Sequence, residues 1–340
     1  MISIMSRLIV FNTKTGNHSI LAQSFNQSLT TRARFNINLS FVWSLHYHAP
    51  SNCILMVDKN HGIIILNLVT GSEKIIGARV EISKNTAVGY VAEPIFSRPH
   101  GVCTKPNGNI VIADTQNHMI KEVNMKTFSI KIIAGKKTPG FSGDGGPSKN
   151  SILASPHDVA CNKNGEIFIA DTANHKIRRI NNRGKLDTVV GCAKNHIDSN
   201  QCILKSEHST PLEAHLRSPH SITFDNESCL LISDTLNNRV CRADFFKNTF
   251  ETIAGGIYKE NNDNNAESIH PHGATADQEN NLLIADRDNN KIRFVAKNTN
   301  AITTLIGETP SAKIFFPLNA PQAITTDLKQ NIFVVDSNVS

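Results

Sequence analysis

The amino-acid sequence predicts an all-β fold, a six-bladed β-propeller of four-stranded antiparallel blades. Three observations carry the prediction. A segment ending in aspartate recurs along the 340 residues, at Asp58, Asp114, Asp171, Asp234, Asp286 and Asp336, spaced 56, 57, 63, 52 and 50 residues apart. Each spacing holds one supersecondary unit, and within it the apolar residues form short runs split by polar turns, with no sustained helical period. The last repeat stops after two strands, while the chain start carries two strands of its own.

The repeats align in order. A weak first copy, "FVWSLHYHAPSNCILMVDKNHGIIIL", begins at Phe41. "PHGVCTKPNGNIVIADTQNHMIKEV" begins at Pro99 and "PHDVACNKNGEIFIADTANHKIRRI" at Pro156. "PHSITFDNESCLLISDTLNNRVCRA" begins at Pro219, "PHGATADQENNLLIADRDNNKIRFV" at Pro271 and the truncated "PQAITTDLKQNIFVVDSN" at Pro321. In the third copy, "HDVACN" and "EIFIAD" are strand-like runs split by the turn "KNG", "KIRRI" is a third strand and "LDTVVG" a fourth. Six such units make a propeller. "RLIVFNTKTGNHSILA", residues 7–22, matches the third and fourth strands of a repeat, so blade 6 is expected from about 321–340 plus 7–22. That closure removes a free sheet edge. The expected organisation is a single domain over 1–340.

Composition is that of an ordinary folded chain: 39% apolar, 19% charged, net charge +6 from 35 basic and 29 acidic residues. So mild a charge permits an acidic partner without demanding one. The acid-free start, with Arg7, Lys14, Arg32 and Arg34 before the first acid at Asp58, also fits a transit peptide, but the strand assignment accounts for much of the same stretch. No secretory h-region and no membrane-spanning apolar run is visible, and a cytoplasmic monomer is the expectation. The seven cysteines, odd in number and irregular in spacing, read as reduced core residues. Cys192 and Cys202 share a loop and are the one pair expected to bond if the protein is exported.

The pattern "IADTQNHMI" from Ile112 and "IADTANHKI" from Ile169, with "ISDTLNNRV" and "IADRDNNKI" as variants, resembles the NHL repeat family. The glycine-rich "GFSGDGGPSKNSILASPHDV" from Gly140 resembles an inter-repeat segment of that family. The resemblance implies the six-bladed propeller. Its functions are varied, including protein-binding, RNA-binding and enzymatic members, so it does not fix one.

The repeated aspartates are expected to fix tight turns by accepting backbone N–H bonds one or two residues on. The asparagines Asn117, Asn174, Asn237 and Asn289 share that reading. The loop "GDGGP" lacks the flanking strand, helix and Lys-Ser/Thr of a phosphate loop and reads as a structured inter-blade segment. Lys131, Lys136, Lys137, Lys176, Arg178, Arg179, Arg183 and Lys185 form the most basic stretch, with Arg178 and Arg179 on opposite sides of their strand. It motivates RNA binding as a third reading, although few aromatics accompany it.

Four histidines open repeats in a Pro-His pair: His100, His157, His220 and His272. They should gather at one mouth of the central channel, on the face bearing the long connections 78–98, 136–155, 192–218 and 256–270, and they are the candidate binding residues. Alternation puts His100 with Val102, His157 with Val159 and His220 with Ile222, on the side packed between blades. The same four are candidate metal ligands, zinc being the ion such a set would take. Here the chain resembles the peptidyl-hydroxyglycine amidating lyase, which implies zinc held by histidines from different blades. His220 and His157 match that Pro-His motif best. Gln322 in the sixth blade and Trp43 or Ser44 in the first depart from it, with His46 only nearby, and no counterpart of the lyase's catalytic Arg and Tyr is visible. The leading expectation is a non-enzymatic recognition propeller for a protein or peptide, the alternative a zinc-dependent lyase or hydrolase, and the third RNA binding.

Overall fold

The structure is a computed structural model that describes residues 6–23, 34–35, 37, 39–59, 62–77, 95–192, 208–256, 268–299 and 301–337. The fold is the expected one, six blades of four antiparallel strands. Blade 1 runs from the channel outward as Val42–His48, Cys53–Asp58, Gly62–Asn67 and Glu73–Ile76. Blade 2 is Val102–Thr104, Ile110–Asp114, Met119–Val123 and Ile130–Gly135. Blade 3 is Asp158–Cys161, Ile167–Asp171, Lys176–Ile180 and Leu186–Val190. Blade 4 is Pro219–Phe224, Leu230–Asp234, Arg239–Asp244 and Thr249–Gly255, with His208–Ser209 added at its outer edge. Blade 5 is Pro271–Ala276, Leu282–Asp286, Lys291–Val295 and Ile302–Gly307, with Ile314–Phe315 added in parallel.

Blade 6 joins the two ends of the chain. Its inner strands are Pro321–Thr326 and Asn331–Asp336, and its outer strands are Arg7–Asn12 and His18–Gln23. The seam runs in register from Arg7 opposite Asp336 to Asn12 opposite Asn331.

The second strand of each blade explains why the repeat is so apolar there. Ile167–Asp171 is buried at every position, because both its faces meet neighbouring blades. The apolar side chains therefore form clusters between successive blades: Ile169 packs with Val111 and Ala113 of blade 2, and Leu230 and Ile232 pack with Phe168 and Ala170 of blade 3. Burying one such Ile or Leu contributes about 1.5–3 kcal/mol. Bulges in the outermost pairings bend the blade edges, as between Ile132 and Ala134. Gly135, at φ +83, ends that strand where a Cβ would stand 2.1 Å from the His118 carbonyl oxygen, so no side chain fits.

The cysteines depart from the expectation of seven free thiols. Cys103 and Cys161 are bonded to each other, because the inner strands of blades 2 and 3 bring their Cα atoms to 6.0 Å. Cys53, Cys192, Cys229 and Cys241 are free, and Cys202 lies outside the described residues. Of the long connections, 136–155 is described throughout, while 78–94, 193–207 and 257–267 lie outside the described residues. No helix among the described residues is long and apolar enough to cross a membrane.

Candidate functional site

The repeat motif positions the channel mouth through three contacts. The aspartate does not cap the turn that follows it. Its carboxylate reaches back to the segment arriving at the same face, accepting the N–H of Ser40, Ser97, Ala154, Arg217, His270 or Asn319 at 2.6–2.8 Å. The chain turns at this mouth just where the incoming connection passes, so the N–H groups it takes belong to residues 16 to 18 positions upstream. The asparagine three residues on donates to the same carboxylate from Asn117, Asn174, Asn237 and Asn289. A basic side chain neutralises it: Lys121, Arg178, Arg239, Arg293 or Arg7.

The second contact runs to the next blade. The Thr115, Thr172 and Thr235 hydroxyls donate to the carbonyls of Pro156, Pro219 and Pro271, at 2.7–2.8 Å. The third fixes the residue before that proline: His118 Nδ1 accepts the Ser155 N–H and His175 Nδ1 the Ser218 N–H, both at 3.0 Å, and Asn290 Oδ1 accepts the Ala320 N–H at 2.8 Å. Blades 2 and 3 thus clamp the Pro-His step of their successors on both sides of the proline, while blade 4 holds Pro271 through Thr235 and blade 5 holds Ala320, before Pro321, through Asn290.

The clamped residues form a collar. The equivalent positions are Trp43, His100, His157, His220, His272 and Gln322, one from each blade, and all line the channel cavity of about 210 Å³. The ring centroids follow one another at 4.1 Å from Trp43 to His100, 4.5 Å to His157, 4.5 Å to His220 and 4.8 Å to His272. Simple alternation would have turned the histidines between blades. In blades 4 and 5 a register shift at the strand start, between Pro219 and Ser221 and between Pro271 and Gly273, breaks that alternation. His220 and His272 face the neighbouring rings of the collar, while Ile222 and Ala274 join the apolar clusters between blades.

Burial keeps these imidazoles neutral. Desolvation, then the neighbouring histidines, pushes His220 down to about 2 and His100 to about 3. Desolvation likewise holds His272 at about 3 and His157 at about 4. Their tautomers follow from their partners. His272 Nδ1 must donate to the Gln322 carbonyl at 3.1 Å, so its Nε2 accepts, and His220 Nδ1 must donate to it at 3.1 Å. His100 Nδ1 donates to the Arg98 carbonyl at 3.0 Å. The Nε2 lone pairs of His100 and His220 are left without a hydrogen bond among the described residues. Trp43 Nε1 and Gln322 Oε1 are buried and also have no hydrogen-bond partner among the described residues.

Two further groups line the same cavity. His46, which desolvation holds at about 4, contacts the Thr104 hydroxyl at 2.9 Å. Asp158 is buried and desolvation raises it to about 7, although it accepts the N–H groups of Ile222 and Val159 at 2.9 and 2.8 Å. Trp43, Gln322 and Asp158 were not singled out as site residues from the sequence. Asp158 alone had a local signal, as the one carboxylate directly after a Pro-His pair.

A zinc ion would need three side chains converging on one point. Among the described residues no three His, Cys, Asp or Glu side chains are grouped to hold a metal ion. His272 has both nitrogens committed to hydrogen bonds, and His100 stacks on His157 with their planes 7° apart. The residues in this arrangement do not fit the zinc.

The glycine-rich loop folds back onto blade 3. Arg178, fully buried, is held by Asp171 at 3.1 Å and by Asp144 at 2.7 Å, and its guanidinium lies over the Phe141 ring. Thr188 donates to the other Asp144 oxygen at 2.7 Å, so this carboxylate is occupied. Of the basic stretch, Arg178 is thus internal, Lys131 faces Glu122, and Arg179 lies between Glu166 and Asp187.

Comparison with known proteins agrees with this reading of the repeat. The NHL repeat family model matches residues 96–121 and 153–180. Human NHL repeat-containing protein 2 is 27% identical over 250 residues, covering 64% of this chain and 34% of that protein. A probable peptidyl-alpha-hydroxyglycine alpha-amidating lyase of Caenorhabditis elegans is 28% identical over 149 residues, covering 43% of this chain and 37% of that protein. A streptogramin B lyase structure superimposes with a TM-score of 0.54 at 16% identity, over 98% of this chain and 90% of that one, a likeness of fold alone. The chain spans well under half the length of the curated relatives named here. The repeat motif, its blade-to-blade clamps and the matched family model together show a chain that carries NHL repeats and is built as a six-bladed propeller.

Proposed function

We propose that the chain is a non-catalytic recognition module that binds a protein or peptide segment on the loop-bearing face, over the histidine collar. One observation supports this above the rest: the collar retains hydrogen-bonding capacity that the fold leaves unused. Buried polar groups are nearly always paired in native proteins, and an unpaired one at a cavity is free to take a ligand. Here Trp43 Nε1 offers a donor, while Gln322 Oε1 and the Nε2 atoms of His100 and His220 offer acceptors. A peptide unit supplies one acceptor and one donor, and the flat neutral rings supply surface on which it can lie.

The test uses Trp43, the only tryptophan, as a reporter. Peptides selected from a random library on the purified full chain should change its fluorescence on binding. His220→Phe keeps the ring and removes the acceptor, so it should weaken binding about tenfold, the loss of one hydrogen bond worth about 1.4 kcal/mol. Zinc at one ion per chain, with lyase or hydrolase turnover lost in His157→Ala and His220→Ala, would replace this reading with an enzymatic one. Salt-sensitive RNA binding that leaves Trp43 fluorescence unchanged would replace it with the third.

A further inference from the structure

The six blades are not equivalent at their outer clefts. At one station of the third strand, blades 2, 3 and 4 carry a charged side chain facing an opposite charge on the fourth strand. Glu122 stands opposite Lys131 at 3.4 Å, Arg179 opposite Asp187 at 4.0 Å and Arg242 opposite Glu251 at 3.7 Å. Blade 5 has Phe294 opposite Thr303 instead. The carboxylate that holds Arg242 in blade 4, Asp225 at 2.8 Å, has a counterpart in Asp277. Both aspartates accept two N–H groups of their own loops, Asp225 from Glu227 and Cys229 and Asp277 from Glu279 and Asn281, but the oxygen that takes Arg242 in Asp225 takes the neutral Asn281 amide in Asp277.

The two clefts beside blade 5 differ in size. Between blades 4 and 5, with Arg242 in its lining, the cavity is about 250 Å³. Between blades 5 and 6 it is about 410 Å³, with Leu283, Phe294, Leu305 and Ile332 among its walls. That volume falls in the range of small-molecule pockets, about 300–1,000 Å³. Two exposed lysines, Lys14 from the N-terminal hairpin and Lys313 from the segment after blade 5, complete the lining. Neither forms an ion pair among the described residues, and the one acid in the lining, Asp277, has its oxygens turned to neutral N–H donors of its own loop, so the lining carries two cations against one carboxylate. An apolar slot with a net positive charge complements an apolar body carrying a negative charge.

We propose that the cleft between blades 5 and 6 binds a small amphipathic anion, an alkyl carboxylate whose chain lies against Phe294 and whose carboxylate meets Lys14 and Lys313. This site is separate from the collar and stands or falls apart from it. Calorimetric titration of the full chain with hexanoate, octanoate, decanoate and decanol, each below its micelle or solubility limit, tests it. Affinity should rise about fourfold per methylene, so roughly sixteenfold from octanoate to decanoate. The double variant Lys14→Ala, Lys313→Ala should weaken decanoate at least tenfold and leave decanol unchanged, with no change in thermal midpoint because both side chains are exposed. Thr303→Trp, which fills the exposed side of the slot, should abolish binding of both. Absence of binding by decanoate, affinity independent of chain length, or decanoate binding unaffected by the double variant would each overturn the proposal.

Discussion

The Thr172 hydroxyl of blade 3 donates to the Pro219 carbonyl of blade 4 at 2.8 Å, and both lie in the buried wall between the blades. This single bond fixes the residue just before His220, a member of the collar. Thr172→Val keeps the shape and removes the donor, leaving a buried carbonyl unpaired. The expected cost is about 1–3 kcal/mol in urea unfolding. Thr172→Ser should restore most of it. Equal stability of the valine and serine variants would show that the clamp contributes nothing.

The collar makes stability depend on pH. His157 titrates at about 4 in the folded chain and near 6.5 when unfolded. Its folded value is depressed, so its contribution is fully present above pH 6.5 and is lost as pH falls towards 4. His157→Phe keeps the stacked ring and cannot titrate. The wild-type chain should therefore lose up to about 2 kcal/mol more than this variant between pH 6.5 and pH 5. Asp158 works the other way. Its folded value of about 7 is raised, so stability falls as pH rises from about 4 to about 7. The comparison of variants, rather than the bare pH profile, isolates the imidazole. Parallel profiles for wild type and His157→Phe would contradict the assignment of a neutral ring.

Much of this architecture could be read from the repeats, because a residue that recurs in every blade performs the same contact in every blade. The aspartate, threonine and His/Asn of "ADTxNH" were visible as a unit, and so was the closure by residues 7–22. Their partners were not visible. The Asp171 carboxylate bonds Ala154 and Thr172 reaches Pro219, contacts that run across loops and blades and leave no local pattern. Trp43 and Gln322 occupy the collar's histidine station with different chemistry, so the alignment shows them as departures from the Pro-His motif and not as site residues. Strand alternation separated Arg178 from Arg179 correctly, but it could not say that Arg178 would be the buried one. The bulge that breaks alternation at His220 is a backbone irregularity, which alternation by definition does not contain.

Arg178 should be the least tolerant charged side chain of blade 3. It is fully buried and held by Asp171 and Asp144 together. Arg178→Met leaves Asp171 buried without its counter-charge, and such a loss costs about 3–5 kcal/mol. Asp144→Ala removes only the partly exposed acid and should cost less. Its signature is local: the 140–147 loop loses its anchor on blade 3 and becomes a protease-sensitive site while the thermal midpoint shifts modestly. Protease resistance of the Asp144→Ala loop equal to wild type would show that the backbone bridges of Asp144 to Leu186 and Pro147 to Lys185 hold it alone.

Closure of the ring rests on Arg7 and Asp336. Arg7 bonds the buried Asp336 carboxylate through two nitrogens, at 2.9 and 2.7 Å, and donates to the Pro317 carbonyl at 2.6 Å. It is also the first residue of the strand that pairs along Asn331–Asp336 and sends Ile9 and Phe11 into the cluster shared with blade 5. Arg7→Ala therefore removes the counter-charge of a buried acid at the point where the two ends of the chain meet. The expected loss is about 3–5 kcal/mol, with unfolding still cooperative. In Arg7→Ala, Asp336→Asn the stranded charge is gone, so part of that loss should return, and the double-mutant cycle measures the coupling. Deleting residues 1–17 should do more, because it strips a whole strand and exposes an unpaired edge together with the apolar face beneath it. The truncated chain should lose its cooperative thermal transition or self-associate. A truncated chain that unfolds cooperatively at the wild-type midpoint as a monomer would show that the N-terminal strand decorates blade 6 without closing it.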